Sequence, residues 1–229
     1  MKNVKKKLTR REQSRATRLR IIRAAHELFC RHGYGGTRMS DVADEAGVAV
    51  QTVYFTFHTK GELLQACYER AVLGEDDPLP PQEQPWYRRM LAARSGRSAL
   101  HAFAEGNSAI ASRVAVLDDV IRSTPHEPDA FAVRARGEQL RRAGYAGVAT
   151  HIAERFGLRA DVGVDRATDL MLTLGSGPVY RMMVLDYGWS HEVFVDWLAG
   201  ALADQLLPST RAAVRARRRT RSGPRTSAG

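Results

Sequence analysis

The sequence predicts a helical fold on three observations. Ile21, Ile22, Ala25, Leu28 and Phe29 recur at three- and four-residue spacing near the N-terminus. Two short polar helices separated by a glycine follow, in "MSDVADEAGVAVQTVYFTF". After the Pro-rich, acidic stretch "GEDDPLPPQEQPWYRR", which reads as a joint between two domains, helical periodicity resumes and runs to about Leu207.

Taken in order, the first helix carries one apolar stripe and ends near His32 and Gly33, with Arg15, Arg18, Arg20 and Arg23 before or beside the stripe. Met39–Ala46 is a second helix, with Thr37 upstream as its cap. Val50–Phe57 is a third, and "GELLQACYERAVL" (Gly61–Leu73) a fourth. Beyond the joint, helices are expected at Trp86–Ala93, Arg97–Ala111, Ala130–Arg142 and Ala146–Phe156, with breaks at "RSTPHEPD" and "GLRADVGV". Two long helices close the pattern, Asp165–Tyr187 and Ser190–Leu207. The last is apolar on several faces (Val193, Trp197 and Ala201 alternate with Phe194, Leu198 and Leu202), which predicts burial against both its own bundle and a partner.

Charge is distributed unevenly. Residues 1–60 hold 13 Lys/Arg against 5 Asp/Glu, residues 61–207 hold 15 against 20, and residues 208–229 hold 7 basic residues and no acidic one. Such basic ends around an acidic middle point to a polyanion at the N-terminal part, while the C-terminal run reads as a solvated basic tail. Lys2, Lys5, Lys6 and Lys7 precede the first helix, as an arm that either tracks a phosphate backbone or is simply solvated.

Residues 42–57 say what the polyanion would meet. Val42, Ala43, Ala46, Gly47, Val48 and Val53 have the spacing of a helix-turn-helix: Ala43 is small where helices cross, Gly47 supplies a positive φ at the turn, and the valines form a small core. With Val53 and Phe57 turned inward, Gln51, Thr52, Tyr54 and Thr56 face outward, and Phe55 and Phe57 read as packed aromatics. A helix of this kind fits the major groove of duplex DNA. There Gln pairs with adenine, Thr methyls meet thymine methyls, and hydroxyls reach phosphates or base edges. Lys60, just past the helix, is placed for a phosphate.

Residues 21–64, "IIRAAHELFCRHGYGGTRMSDVADEAGVAVQTVYFTFHTKGELL", resemble the DNA-binding domain of the TetR family of bacterial transcriptional regulators. The block AA..LF...GY..T, the VADEAGV turn, TVY.TF and K.ELL carry the likeness. The resemblance implies an all-α fold: a three-helix DNA-binding head with a helix-turn-helix, and a larger helical regulatory and dimerisation bundle. It divides the chain into a basic disordered arm (1–14), the head (15–74), a ligand-binding and dimerisation domain (75–207) and a basic disordered tail (208–229). The family's DNA contacts fall on Thr37, Met39 and Ser40, and on Val50, Gln51, Thr52, Tyr54, Thr56 and Lys60. Arg38 stands where the family often has Ser or Thr, so the second helix must take its cap from Thr37 and Arg38 joins the DNA-contact set. Ala49 replaces a common Ser cap. The segment from Leu170 to Pro208 resembles the family's C-terminal helix pair, which implies a homodimer through the last two helices. The implied function is a ligand-responsive, sequence-specific repressor that binds a palindromic DNA operator as a dimer and is released by a small, largely apolar effector.

Other classes find less support. The seven histidines form no HExxH, "GSGP" at Gly175–Pro178 lacks the strand and Lys of a P-loop and reads as a close-packed or kinked helix site, and no nucleophile elbow is present. No enzyme, metal or cofactor is expected. A nonspecific architectural nucleic-acid binder is the alternative function. Cys30 and Cys67 suggest no disulfide framework, and Arg181 and Asp186 interrupt the most apolar run, so a cytoplasmic protein without membrane spans is expected. Candidates for an effector pocket are Trp86, Phe103, Glu105, Phe131, Tyr145 and Met171, residue types that equally build plain core.

Overall fold

Thr9 starts the first helix. Its hydroxyl accepts the Glu12 N–H at 3.2 Å and its own N–H donates to Glu12 Oε2 at 2.7 Å, a reciprocal capping box. Helix α1 therefore runs Arg10–Gly36, beginning five residues before the expected head, with a kink at Gly33 (φ 74°). The structure is a computed structural model describing residues 9–74 and 79–208. Lys2, Lys5, Lys6, Lys7 and the basic stretch 209–229 lie outside the described residues. Helices α2 (Met39–Ala46), α3 (Val50–Thr56) and α4 (Lys60–Leu73) follow. A 3₁₀ turn at Pro81–Glu83 leads to α5 (Pro85–Leu91), α6 (Gly96–Arg122), α7 (Pro128–Phe156), α8 (Val164–Leu174), α9 (Gly177–Tyr180), a π-helical turn at Arg181–Asp186 and α10 (His191–Leu206). The fold is all-α; the described residues form no strand.

Two compact units are present, Met1–Pro80 with Ser112–Gln139 and Pro81–Ala111 with Leu140–Gly229. In the first, α1 packs on α2 and α4, and α2 on α3. Ile21, Ala25, Phe29, Ala43, Val53, Leu63 and Leu64 are wholly buried there, and Leu117, Ile121, Ala130 and Val133 from the α6–α7 hairpin belong to the same core. Burying each large side chain contributes about 1.5–3 kcal/mol. The hairpin is thus a structural part of the head.

Basic side chains from other helices finish three helix ends in this unit. The last turns of α1 and α3 contain no basic residue of their own. Lys60 Nζ donates to the Tyr34 and Thr37 carbonyls at 2.8 and 3.2 Å, Arg18 to the Thr56 carbonyl at 3.3 Å, and Arg113 to the carbonyls of Ala71 and Val72 at 2.7 and 3.2 Å. Each cation meets the negative end of a helix dipole and donates to carbonyls of the last turn or cap, the Tyr34 carbonyl also accepting the Thr37 N–H at 3.3 Å.

In the second unit, α10 packs on α8. Trp86 lies flat against Gly106, where a Cβ would come within 2.1 Å of the indole. Two expectations change here. The stretch expected as Ala130–Arg142 and Ala146–Phe156 is one continuous helix, α7, because Gly144 alone costs only about 1 kcal/mol and no proline interrupts. The helix expected at Asp165–Tyr187 is broken: Gly175 ends α8, Ser176 accepts the Val179 N–H to start α9, and Pro178 has no N–H to continue the earlier ladder. Gly175 also packs closely, its missing Cβ lying 2.9 Å from Asn107 Nδ2. No described helix is long and apolar enough to cross a membrane.

Candidate nucleic-acid interface

The turn between α2 and α3 is a Schellman motif. Gly47 has φ 62° and ψ 46°, the Val48 N–H donates to the Ala43 carbonyl at 3.0 Å and the Gly47 N–H to Asp44 at 3.1 Å. A left-handed residue is required there, as the sequence suggested, and it redirects the chain so that Val53 enters the core with no exposure. At 3.6 residues per turn, Gln51 and Phe55 fall about 160° and 200° from Val53, so together they form the outermost line of α3. Both are exposed, with Tyr54 beside them at 51%. Thr52 and Val50 are half-buried on the flanks.

Phe55 corrects the sequence reading. It is 85% exposed, whereas Phe57 is buried with the Arg18 guanidinium 4.2 Å from its ring centroid. Counting turns from Val53 is the signal that places it outward. Arg18, too, has a role that spacing does not reveal: it fixes the C-terminal end of α3 from α1.

The start of α2 also differs. Thr37 is 2% exposed and donates its hydroxyl to the Gly33 carbonyl at 2.9 Å, so it closes the end of α1 and does not cap α2. The capping position belongs to Arg38, whose N–H is accepted by Asp41 Oδ2 at 2.9 Å. The Arg38 side chain is exposed, as is Ser40, while Met39 is buried at 7% and contributes to the core. Thr56 Oγ1 donates to the Thr52 carbonyl at 2.7 Å, a local bond of the helix. Lys60 is engaged at the end of α1 and lies 4.1 Å from the Tyr34 ring centroid, in addition to the carbonyls it satisfies. Ala49 provides no side-chain cap to α3.

The geometry is that of a short helix held by apolar contacts on one side and presenting Gln51, Tyr54 and Phe55 on the other. Residues 21–67 match the family described as bacterial regulatory proteins, tetR family. The head is of the TetR type. The TetR-type region is 39% identical over 56 residues to the HTH-type transcriptional regulator TtgR of Pseudomonas putida, covering 24% of this chain and 27% of that protein. The chain thus spans about a quarter of the length of the curated relative it matches. Among solved structures, NalD, described as the secondary repressor of the MexAB-OprM multidrug efflux pump in Pseudomonas aeruginosa, superposes with a TM-score of 0.66 at 18% identity over 86% of this chain and 99% of NalD. FadR from Bacillus subtilis, solved in complex with stearoyl-CoA, gives 0.64 at 16% identity over 80% and 96%. At these identities the structural likeness establishes the fold. The family consists of regulators and not enzymes, and among the described residues no group of three or more His, Cys, Asp or Glu is arranged to hold a metal.

In the second unit, three of the pocket candidates come together. Trp86 and Phe103 have ring centroids 6.2 Å apart, Phe103 and Tyr145 5.1 Å, both edge to face. The Tyr145 hydroxyl donates to Asn107, whose amide donates to the Gly175 carbonyl at 3.0 Å. Met171 is wholly buried. Glu105 instead pairs with Arg89 at 2.8 Å on an exposed face, and Phe131 is a 65% exposed residue of the first unit.

Proposed function

We propose that the protein is a sequence-specific transcriptional repressor that binds a palindromic DNA operator as a homodimer and lets go of it when a small, largely apolar effector enters the second unit. The observation that carries the reading is the exposed line of α3 on a TetR-type head: polar and aromatic side chains on a groove-sized helix anchored in the core on its opposite side by Val53. Gln51, Thr52, Tyr54 and Val50 supply the base-facing or near-base contacts, and Arg38 and Ser40 approach phosphates from the start of α2. Thr37, Met39, Thr56 and Lys60, which the resemblance places in the contact set, would act mainly by holding these helices in place. A cytoplasmic location fits this role.

Dimerisation is assigned to the C-terminal helices. Met182, Leu185, Tyr187 and Val193 are exposed apolar side chains around the π turn and the start of α10, and a second copy would cover them by an isologous contact. The effector is assigned to the Trp86–Phe103–Tyr145 group. Ser108 is wholly buried nearby in sequence on α6 and its hydroxyl has no partner, so an apolar effector carrying one hydrogen-bonding group suits this unit. The stearoyl-CoA in FadR and the efflux-pump regulation by NalD fit hydrophobic effectors of this kind.

The test is thermal stabilisation across a panel of fatty acyl and aromatic compounds, followed by gel shift with each stabilising compound. Release requires the effector to favour the non-binding arrangement by about 1–3 kcal/mol. Operator affinity unchanged by every stabilising compound contradicts ligand-controlled release.

A further inference from the structure

We infer that Phe55 reads the 5-methyl group of a thymine in the major groove and so fixes one base of each half-site; this rests on the DNA-binding reading above. Phe55 stands with Gln51 on the line of α3 opposite Val53, the line that approaches base edges most closely when a helix enters the groove. Tyr54 and Thr52 lie to either side, nearer the walls.

The chemistry of the ring narrows what it can recognise. Phenylalanine has neither donor nor acceptor, so it cannot read base hydrogen-bonding groups and gains nothing from a phosphate. The apolar group on the major-groove edges of the four base pairs is the thymine methyl. Within residues 9–74, the exposed large apolar side chains among the described residues are Tyr54 and Phe55, and exposed Arg38 lies just before α2. Two aromatic side chains among polar and charged neighbours make too small an apolar patch for a protein interface.

Gln51 and Phe55 are one helical turn apart, about 6 Å along α3. With bases stacked about 3.4 Å apart, the two side chains reach pairs one or two steps from each other. Gln51 is suited to adenine N6 and N7. The half-site should then contain two A·T pairs at that separation, one read through hydrogen bonds and the other through the methyl group.

The experiment starts from duplexes that the full-length protein enriches from a random library. The enriched duplex is resynthesised with deoxyuridine in place of thymine at one position of each half-site in turn, which removes the methyl and leaves every hydrogen bond. Wild-type protein should bind about fourfold more weakly per half-site at one position, the effect of one buried methyl. Phe55→Ala, whose side chain is exposed and whose helix content is checked by circular dichroism, should bind the thymine and uracil forms equally at that position. Wild-type protein indifferent to uracil at every position overturns the inference, as does Phe55→Ala that keeps the discrimination. The uracil scan of the wild-type protein needs no variant to fold. Failure to enrich any duplex is a different result, since it removes the DNA-binding reading together with this one.

Discussion

The Tyr34 hydroxyl donates to Asp129 Oδ2 at 2.8 Å, joining the end of α1 to the first turn of α7 across 95 positions of sequence. Tyr34 is 1% exposed, its ring packs against Phe29, and Lys60 sits over it while bonding its carbonyl. One residue thus touches the lysine that opens α4 and the hairpin that closes the head's core. Replacing Asp129 by Ala leaves a buried hydroxyl without its partner and should destabilise the first unit by about 1–3 kcal/mol, whereas Tyr34→Phe, which removes the hydroxyl itself, should cost only about 0.5–1.5 kcal/mol. Urea denaturation followed by circular dichroism measures both; equal costs would mean that the bond contributes little.

Gly61 lies against the same carboxylate. A Cβ on it would stand 2.5 Å from Asp129 Cγ, so Gly61→Ala should push the side chain away and lose much of the Tyr34 bond. The double variant Gly61→Ala/Asp129→Ala should therefore be less destabilised than the two single costs added together, by about 0.5 kcal/mol or more. Simple additivity in a double-mutant cycle would show that the two positions are not coupled.

The pair also sets a pH dependence. Burial first, and then the hydrogen bond to Asp129 and its negative charge, raise the Tyr34 hydroxyl well above the ordinary tyrosine value of 10.0. A group raised in the folded state contributes stability that is complete below its unfolded value and is lost as pH rises through the folded one. Between about pH 8 and about pH 11 the wild-type protein should lose more stability than Tyr34→Phe, because the unfolded tyrosine ionises first. Parallel losses in the two proteins would contradict this assignment.

The sequence places Lys60 on a phosphate, and its bonds to Tyr34 and Thr37 predict something else. Lys60→Ala should lower the stability of the head by about 1 kcal/mol in the absence of DNA, a modest figure because the ammonium is half-exposed. Its effect on operator affinity should follow from that loosening, with the salt dependence of binding little altered. Unchanged stability together with a shallower salt slope would restore the phosphate role.

The contrast between Lys60 and Gln51 shows where sequence is informative. Val53, Phe57 and Gly47 are legible because a helix-turn-helix constrains them by local spacing: two inward apolar residues four apart and one left-handed residue between helices. Phe55 misleads because its type suggests packing, although its position relative to Val53 points outward. The partners of Tyr34, Lys60 and Arg18 lie 95, 26 and 38 residues away, and no local periodicity encodes such meetings. In the same way, the break between α8 and α9 depends on how Ser176 and Pro178 act together, while the apolar pattern by itself runs through both helices.

The central claim is sequence-specific recognition by two symmetry-related copies of α3. Gel shift of the full-length protein against an enriched inverted repeat, and against the same duplex with one half-site scrambled, tests it most directly. Two half-sites centred about one helical turn apart should bind far more tightly than the scrambled duplex, and Gln51→Ala should reduce the preference at one base pair by about 1–3 kcal/mol. Equal affinity of the wild-type protein for the intact and scrambled duplexes would contradict the account and favour nonspecific, charge-driven binding.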